Sequence, residues 1–113
     1  MRIFISSPYR PRNGNTVEEN KAFTNKCAAE VWKRGHIPIV PRYDWLYVDY
    51  DEDTAWILGL YICCLDIGLC DEVWTFGEMT DGMEFECAYA RGIGVPVVDR
   101  TFEDGIKLPR RAE

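Results

Sequence analysis

The stretch EVWTFGEMTDGMEFECAYARGIGVPVV, running from Glu72 to Val98, decides the fold. Glu72 to Phe76 is a short β-prone run bounded by glycine, which reads as a buried strand. Gly77 to Gly82 is a turn-rich loop, and Met83 to Gly92 carries helical spacing. Val95 to Val98 is a second strand. Two strands joined through a helix run parallel, because a hairpin turn is too short to hold that helix.

The same alternation extends toward the N-terminus. Ile3 to Ser6 is a strand that stops at Ser7-Pro8, and a loop rich in turn residues follows through Asn15. Thr16 to Arg34 has helical spacing, with Val17, Phe23, Cys27 and Val31 near one face and Gly35 as the stop. Thr16 with Glu19 forms a capping-box signature. His36 to Val40 gives another strand, and Arg42 to Glu52 a polar and aromatic loop. Asp53 is expected to cap a helix reaching about Cys70, apolar nearly all round, which implies burial on two sides or packing against another subunit. The expected fold is α/β: a small, doubly wound, three-layer sandwich of the flavodoxin or Rossmann kind, with a parallel sheet of four strands or five. One domain over residues 1–98 and a charged tail over 99–113 account for the chain. Ligands in such a sheet bind beyond the carboxyl ends of the strands.

Composition narrows the partners. The 113 residues are 47% hydrophobic and 13% aromatic, enough for one folded core. Thirteen Lys and Arg against nineteen Asp and Glu give a net charge of −6, which argues against a nucleic-acid polymer or an anionic membrane as partner. No apolar run reaches the roughly 18 residues of a membrane helix, and the first residues are too short an apolar stretch for a signal peptide. Five cysteines within apolar patterns and a single histidine give no metal constellation, so reduced thiols in a cytoplasmic protein without metal or cofactor are expected.

Glu86 is the most informative residue. With Met83 at zero on a helical wheel of about 100° per residue, Cys87 falls near 40° and Ala90 near 340°. Phe85, Tyr89 and Ile93 fill about 200° to 280°. Glu86 lands near 300°, between two apolar groups, whereas Glu84 falls near 100° beside Arg91. A carboxylate in an apolar sector is costly unless it is paired, hydrogen-bonded or used, so Glu86 is either a structural acid bonded to a nearby loop or a chemical one.

Three blocks then resemble one family. Cys70-Asp71-Glu72-Val73-Trp74-Thr75-Phe76-Gly77, Asp81-Gly82-Met83-Glu84-Phe85-Glu86-Cys87-Ala88-Tyr89-Ala90 and Gly94-Val95-Pro96-Val97-Val98 are similar to the nucleoside 2-deoxyribosyltransferase superfamily, as is the opening Ile3-Phe4-Ile5-Ser6-Ser7-Pro8-Tyr9. The likeness covers about residues 2 to 98 and is greatest to its short bacterial and phage members. It implies that Glu86 is a nucleophile attacking the anomeric carbon of a 2-deoxyribosyl group, with transfer to another base or to water. It also implies a second acid, on the helix before the residue matching Asp71, to protonate the leaving base. That position falls on Cys63, a departure from the pattern; Asp66, Asp81 and Asp44 are the alternative acids.

The remaining candidates surround that glutamate. Ser6, Ser7, Pro8, Tyr9, Arg10 and Arg12 lie ahead of a helix N-terminus and suit an anionic group such as a 5′-phosphate, or form a plain surface turn. Tyr43 and Trp45, with Tyr47 and Tyr50, suit stacking on a base, or subunit packing. Gly82 and Met83 open the helix that carries Glu86. His36 sits at a strand start, at the wrong end of the sheet. The expected activity is N-glycosidic cleavage or 2-deoxyribosyl transfer on a small nucleoside or nucleotide, by a homo-oligomer of two or more subunits. A non-catalytic module that senses or sequesters such a ligand, and an oligomeric scaffold without ligand, are the rival readings.

Overall fold

The computed structural model describes residues 1–11 and 14–100. In chain order the elements are β1 (Arg2–Ser6), α1 (Val17–Lys33), β2 (Ile37–Ile39), a 3-10 helix (Asp44–Val48), α2 (Glu52–Ile67), β3 (Glu72–Thr75), α3 (Asp81–Gly92) and β4 (Val97–Asp99). The four strands form one sheet in the order β2-β1-β3-β4, and every pairing is parallel. The expected α/β class holds. The fifth strand left open by the sequence is absent among the described residues.

The two faces of β1 explain the three layers. Side chains alternate across a strand, so Ile3 and Ile5 meet Phe23, Cys27 and Val31 of α1 together with Trp74 and Phe76. Phe4 faces the other way, onto Cys63 and Ile67 of α2, Val73 of β3 and Ala90 of α3. One helix thus covers one face and two helices cover the other. Ile3, Phe4 and Ile5 are wholly buried, as a strand covered on both faces must be. The order places the topological switch between β1 and β3, and a crevice opens at their carboxyl ends.

Local chemistry sets the helix ends. Thr16 caps α1 through a complete capping box: its hydroxyl accepts from the Glu19 amide and the Glu19 carboxylate accepts from the Thr16 amide. Such a cap contributes about 1 kcal/mol. The cap of α2 is Asp51, not the expected Asp53; its carboxylate accepts from the Thr54 amide and hydroxyl. α2 ends at Ile67, short of Cys70. α3 starts two residues earlier than its apolar spacing indicates, because the Thr80 hydroxyl accepts from the Met83 amide and draws Asp81 and Gly82 into the first turn. β4 begins at Val97 instead of Val95, since the Val95 amide donates back to the Ala90 carbonyl across Gly94, whose φ is +81°.

The all-apolar α2 is buried on one side only. Ala55, Cys63, Cys64 and Ile67 are buried, whereas Ile57, Tyr61 and Leu65 are 60%, 65% and 56% exposed at successive turns. No helix among the described residues is long and apolar enough to cross a membrane. At the amino end of the sheet, His36 Nδ1 lies 3.2 Å from the Met1 amino group and the ring packs edge-on against Trp74. Beyond residue 100, the expected charged tail lies outside the described residues.

Candidate active site

Glu86 sits on the second turn of α3, with its side chain turned toward the carboxyl end of β1. It is 7% exposed, as its place on the apolar arc requires. The Ser6 hydroxyl, itself fully buried at the last position of β1, donates to Glu86 Oε1 at 2.8 Å. The Cys63 thiol of α2 makes a second side-chain hydrogen bond to the same carboxylate. Burial pushes the Glu86 pKa up to about 7, and these two hydrogen bonds hold it from rising further. Burial, together with the same carboxylate, pushes the Cys63 thiol far above its ordinary value. A carboxyl poised near neutrality can act as nucleophile or exchange a proton.

Glu86 lines a cavity of about 340 Å³. The loop after β1 supplies Ser7, Tyr9, Arg10 and Pro11, and the segment after β2 supplies Pro41, Tyr43 and Tyr47. Trp56, Gly59, Leu60 and Cys63 come from α2, and Asp81, Gly82 and Met83 from the start of α3. Close packing joins the two helices here. A Cβ at Gly82 would lie 3.7 Å from Leu60 and from Trp56.

The walls are braced from behind. The buried Asn20 donates from Nδ2 to the Tyr9 and Arg10 carbonyls, both at 3.0 Å, which fixes the backbone of the first loop. Ser7 Oγ is 2.7 Å from Thr24 Oγ1. The Tyr9 hydroxyl donates to Asp44 at 2.8 Å, and Asp44 is ion-paired with Lys21 at 2.5 Å. The hydrogen bond from Lys21 holds the Asp44 carboxyl below its ordinary range. The Tyr43 hydroxyl donates to Asp66. Arg10 lies 4.2 Å over the Trp56 ring and pairs with Asp53 at 3.3 Å.

The residues expected from sequence are mostly brought together. Ser7, Tyr9, Arg10, Tyr43, Asp81, Gly82, Met83 and Glu86 all line the cavity, and Ser6 reaches it through Glu86. Pro8 lies behind the wall, fully buried next to Gly77. Trp45 is 61% exposed, meets Tyr43 edge-on, and is not among the residues lining this cavity. Asp66 is turned to Tyr43 and braces that ring from outside the cavity. Arg12 lies outside the described residues. Trp56, Gly59 and Leu60, which the sequence reading does not single out, form a wall of the cavity with Cys63, the position where the resemblance implies an acid. Their spacing of three, four and seven residues is the signal that could have found it. All five cysteines are buried and unpaired.

With this geometry in view, comparison with known proteins gives two matches. Among solved structures, a 2-deoxyribosyltransferase from the psychrotolerant bacterium Bacillus psychrosaccharolyticus superposes with a TM-score of 0.65. It is 19% identical, and the match covers 90% of this chain and 74% of that one. At that identity the likeness establishes the shared α/β fold. No curated protein matches the sequence. The family model for a domain of unknown function, DUF7768, matches residues 1–100, all four strands and all three α-helices included. The chain therefore belongs to the DUF7768 family.

Proposed function

We propose that the protein cleaves or transfers the N-glycosidic bond of a nucleoside or nucleotide, with Glu86 as nucleophile. The observation that carries this reading is the buried Glu86 carboxyl at the floor of a cavity, held by Ser6 and poised near pH 7. One carboxylate oxygen attacks the anomeric carbon as the bond to the base lengthens. The developing oxocarbenium charge is stabilised by the anion beside it. The Ser6 hydroxyl fixes the carboxylate plane, so little reorientation is needed at the moment of attack. Tyr9, Tyr43, Tyr47 and Trp56 offer ring faces for a base. Arg10 and the hydroxyl of Ser7 suit the sugar or a 5′-phosphate on it. The structural neighbour, described as a biocatalyst for nucleoside synthesis, supports the same substrate class.

The test is release of free base from each deoxynucleoside and its 5′-monophosphate. Wild type is expected to release base, and Glu86→Ala to lose at least about 1,000-fold in kcat. Equal release by the variant removes Glu86 from the chemistry. Thermal stabilisation by a ligand that is never turned over selects the binding-module reading instead.

The same proposal includes a homo-oligomer and a reducing, cytoplasmic setting. Ile57, Tyr61 and Leu65 form an exposed apolar stripe on α2, and the five thiols are unpaired. Sedimentation at micromolar concentration is expected to give a dimer or larger, and a monomer refutes that part.

A further inference from the structure

Breaking a bond to a neutral nucleobase leaves negative charge on the departing nitrogen, which is why such reactions ordinarily need a proton donor. The cavity is poor in groups that could give one. Among the described residues its lining carboxyls are Glu86 and Asp81. Glu86 cannot donate while it serves as nucleophile. Asp81 is exposed at the first turn of α3. It stands about 7.5 Å along the axis and about 140° around the helix from Glu86. The group facing Glu86 from α2 is the Cys63 thiol, whose proton is bound to that carboxylate and held more tightly than usual. The phenolic protons of Tyr9 and Tyr43 point away, to Asp44 and Asp66, and the third phenol of the lining, Tyr47, is raised above its ordinary range by burial, so it gives up its proton less readily than a free phenol.

The charge of the walls carries the argument further. Arg10 is the one cationic side chain lining the cavity among the described residues, and it is already paired with Asp53 and stacked on Trp56. Tyr9 and Tyr43 both donate to carboxylates, which makes their ring faces more negative; Lys21 offsets part of this for Tyr9 through Asp44. Electron-rich rings lining the same cavity as a carboxyl suit a flat cation. On the reading of Glu86 as nucleophile, we infer that the substrate is a nucleoside whose base already carries positive charge: an N-glycosylated pyridinium or an N7-alkylated purine.

No proton is then needed for departure. A Glu86 oxygen forms a bond to the anomeric carbon, and the carbon–nitrogen bond breaks. Its electron pair neutralises the ring nitrogen, so the base leaves uncharged. Water next attacks the anomeric carbon, the bond to Glu86 breaks, and the surplus proton passes to bulk water. The carboxylate is regenerated and the free sugar released.

The experiment compares the 2-deoxyriboside of nicotinamide and 7-methyl-2′-deoxyguanosine with 2′-deoxyguanosine and 2′-deoxycytidine, using the full chain and Glu86→Gln. The cationic substrates are expected to exceed the neutral ones in kcat/KM by at least about 100-fold, the usual contribution of a missing acid. For the pyridinium, kcat/KM is expected to rise through about pH 7 with Glu86 ionisation and then stay level. Neutral substrates cleaved within tenfold of the cations, or a second, falling limb at higher pH, overturn the inference. If that cleavage is lost in Glu86→Gln, the proposed function stands without it. Failure to cleave any of the four overturns both.

Discussion

Between pH 4 and pH 8 the wild-type protein is expected to lose about 3 kcal/mol of stability that the Glu86→Gln variant keeps. The Glu86 carboxyl rises from an ordinary 4.5 to about 7 in the folded protein, because burial penalises its charged form. The folded state therefore holds this proton more tightly than the unfolded chain does. Stability from this group is fully present below about pH 4.5, falls as pH rises toward 7, and is level above that. A shift of that size corresponds to about 3 kcal/mol. Ser6 and Cys63 face the carboxylate directly, and Cys64 lies close enough on α2 to feel its charge; both thiols stay protonated across this range, their pKa values being raised by burial and by the carboxylate. Glutamine keeps the shape and an acceptor for the Ser6 hydroxyl but carries no charge. Denaturant titrations of both proteins at several pH values measure the difference, in which Asp44, Asp51 and other titrating groups cancel. A difference that does not change with pH would mean that Glu86 is solvated in the folded protein. On the proposed function, the expected result also describes a compromise between function and stability, since the ionised carboxylate proposed as nucleophile is the form that the fold disfavours.

The parts of this molecule legible in its sequence are those where local pattern and tertiary environment agree. The runs at Ile3 to Ser6 and Glu72 to Phe76 are wholly apolar or β-prone because their strands are covered on both faces. The odd position of Glu86 was visible because α3 has a clear apolar arc against which one acid stands out. In α2 the same method has nothing to work on. A helix apolar all round offers no asymmetry, so Trp56 and Leu60 look no different from the exposed Ile57, Tyr61 and Leu65. The pairing of Asp66 with Tyr43 joins residues 23 positions apart, and no local spacing encodes it. Trp45 presents the opposite case. Its residue type suits a binding wall, but the turn of the 3-10 helix leaves it outside.

Gly77→Ala is expected to destabilise the protein by about 2–5 kcal/mol. Gly77 follows β3 with φ at +82°, a left-handed conformation that costs an alanine about 1 kcal/mol or more. Its added Cβ would also fall 3.1 Å from Pro8 Cδ and 3.2 Å from Phe23 Cε2. Neither neighbour can yield cheaply. The Pro8 ring is fixed to its own backbone, and Phe23 is 2% exposed within the core against Ile5 and Phe76. The displacement must therefore pass into the chain between Ser6 and Arg10, which holds the Glu86 partner at one end and the wall residues Tyr9 and Arg10 at the other. Gly35→Ala provides the comparison, because its φ is +86° and nothing lies within 4 Å of the added atom. It carries the backbone strain alone. Thermal and denaturant unfolding of the two variants should separate them by at least about 1 kcal/mol, with Gly77→Ala the weaker. Equal losses would show that Pro8 and Phe23 give way freely and that this turn does not set the position of the first loop.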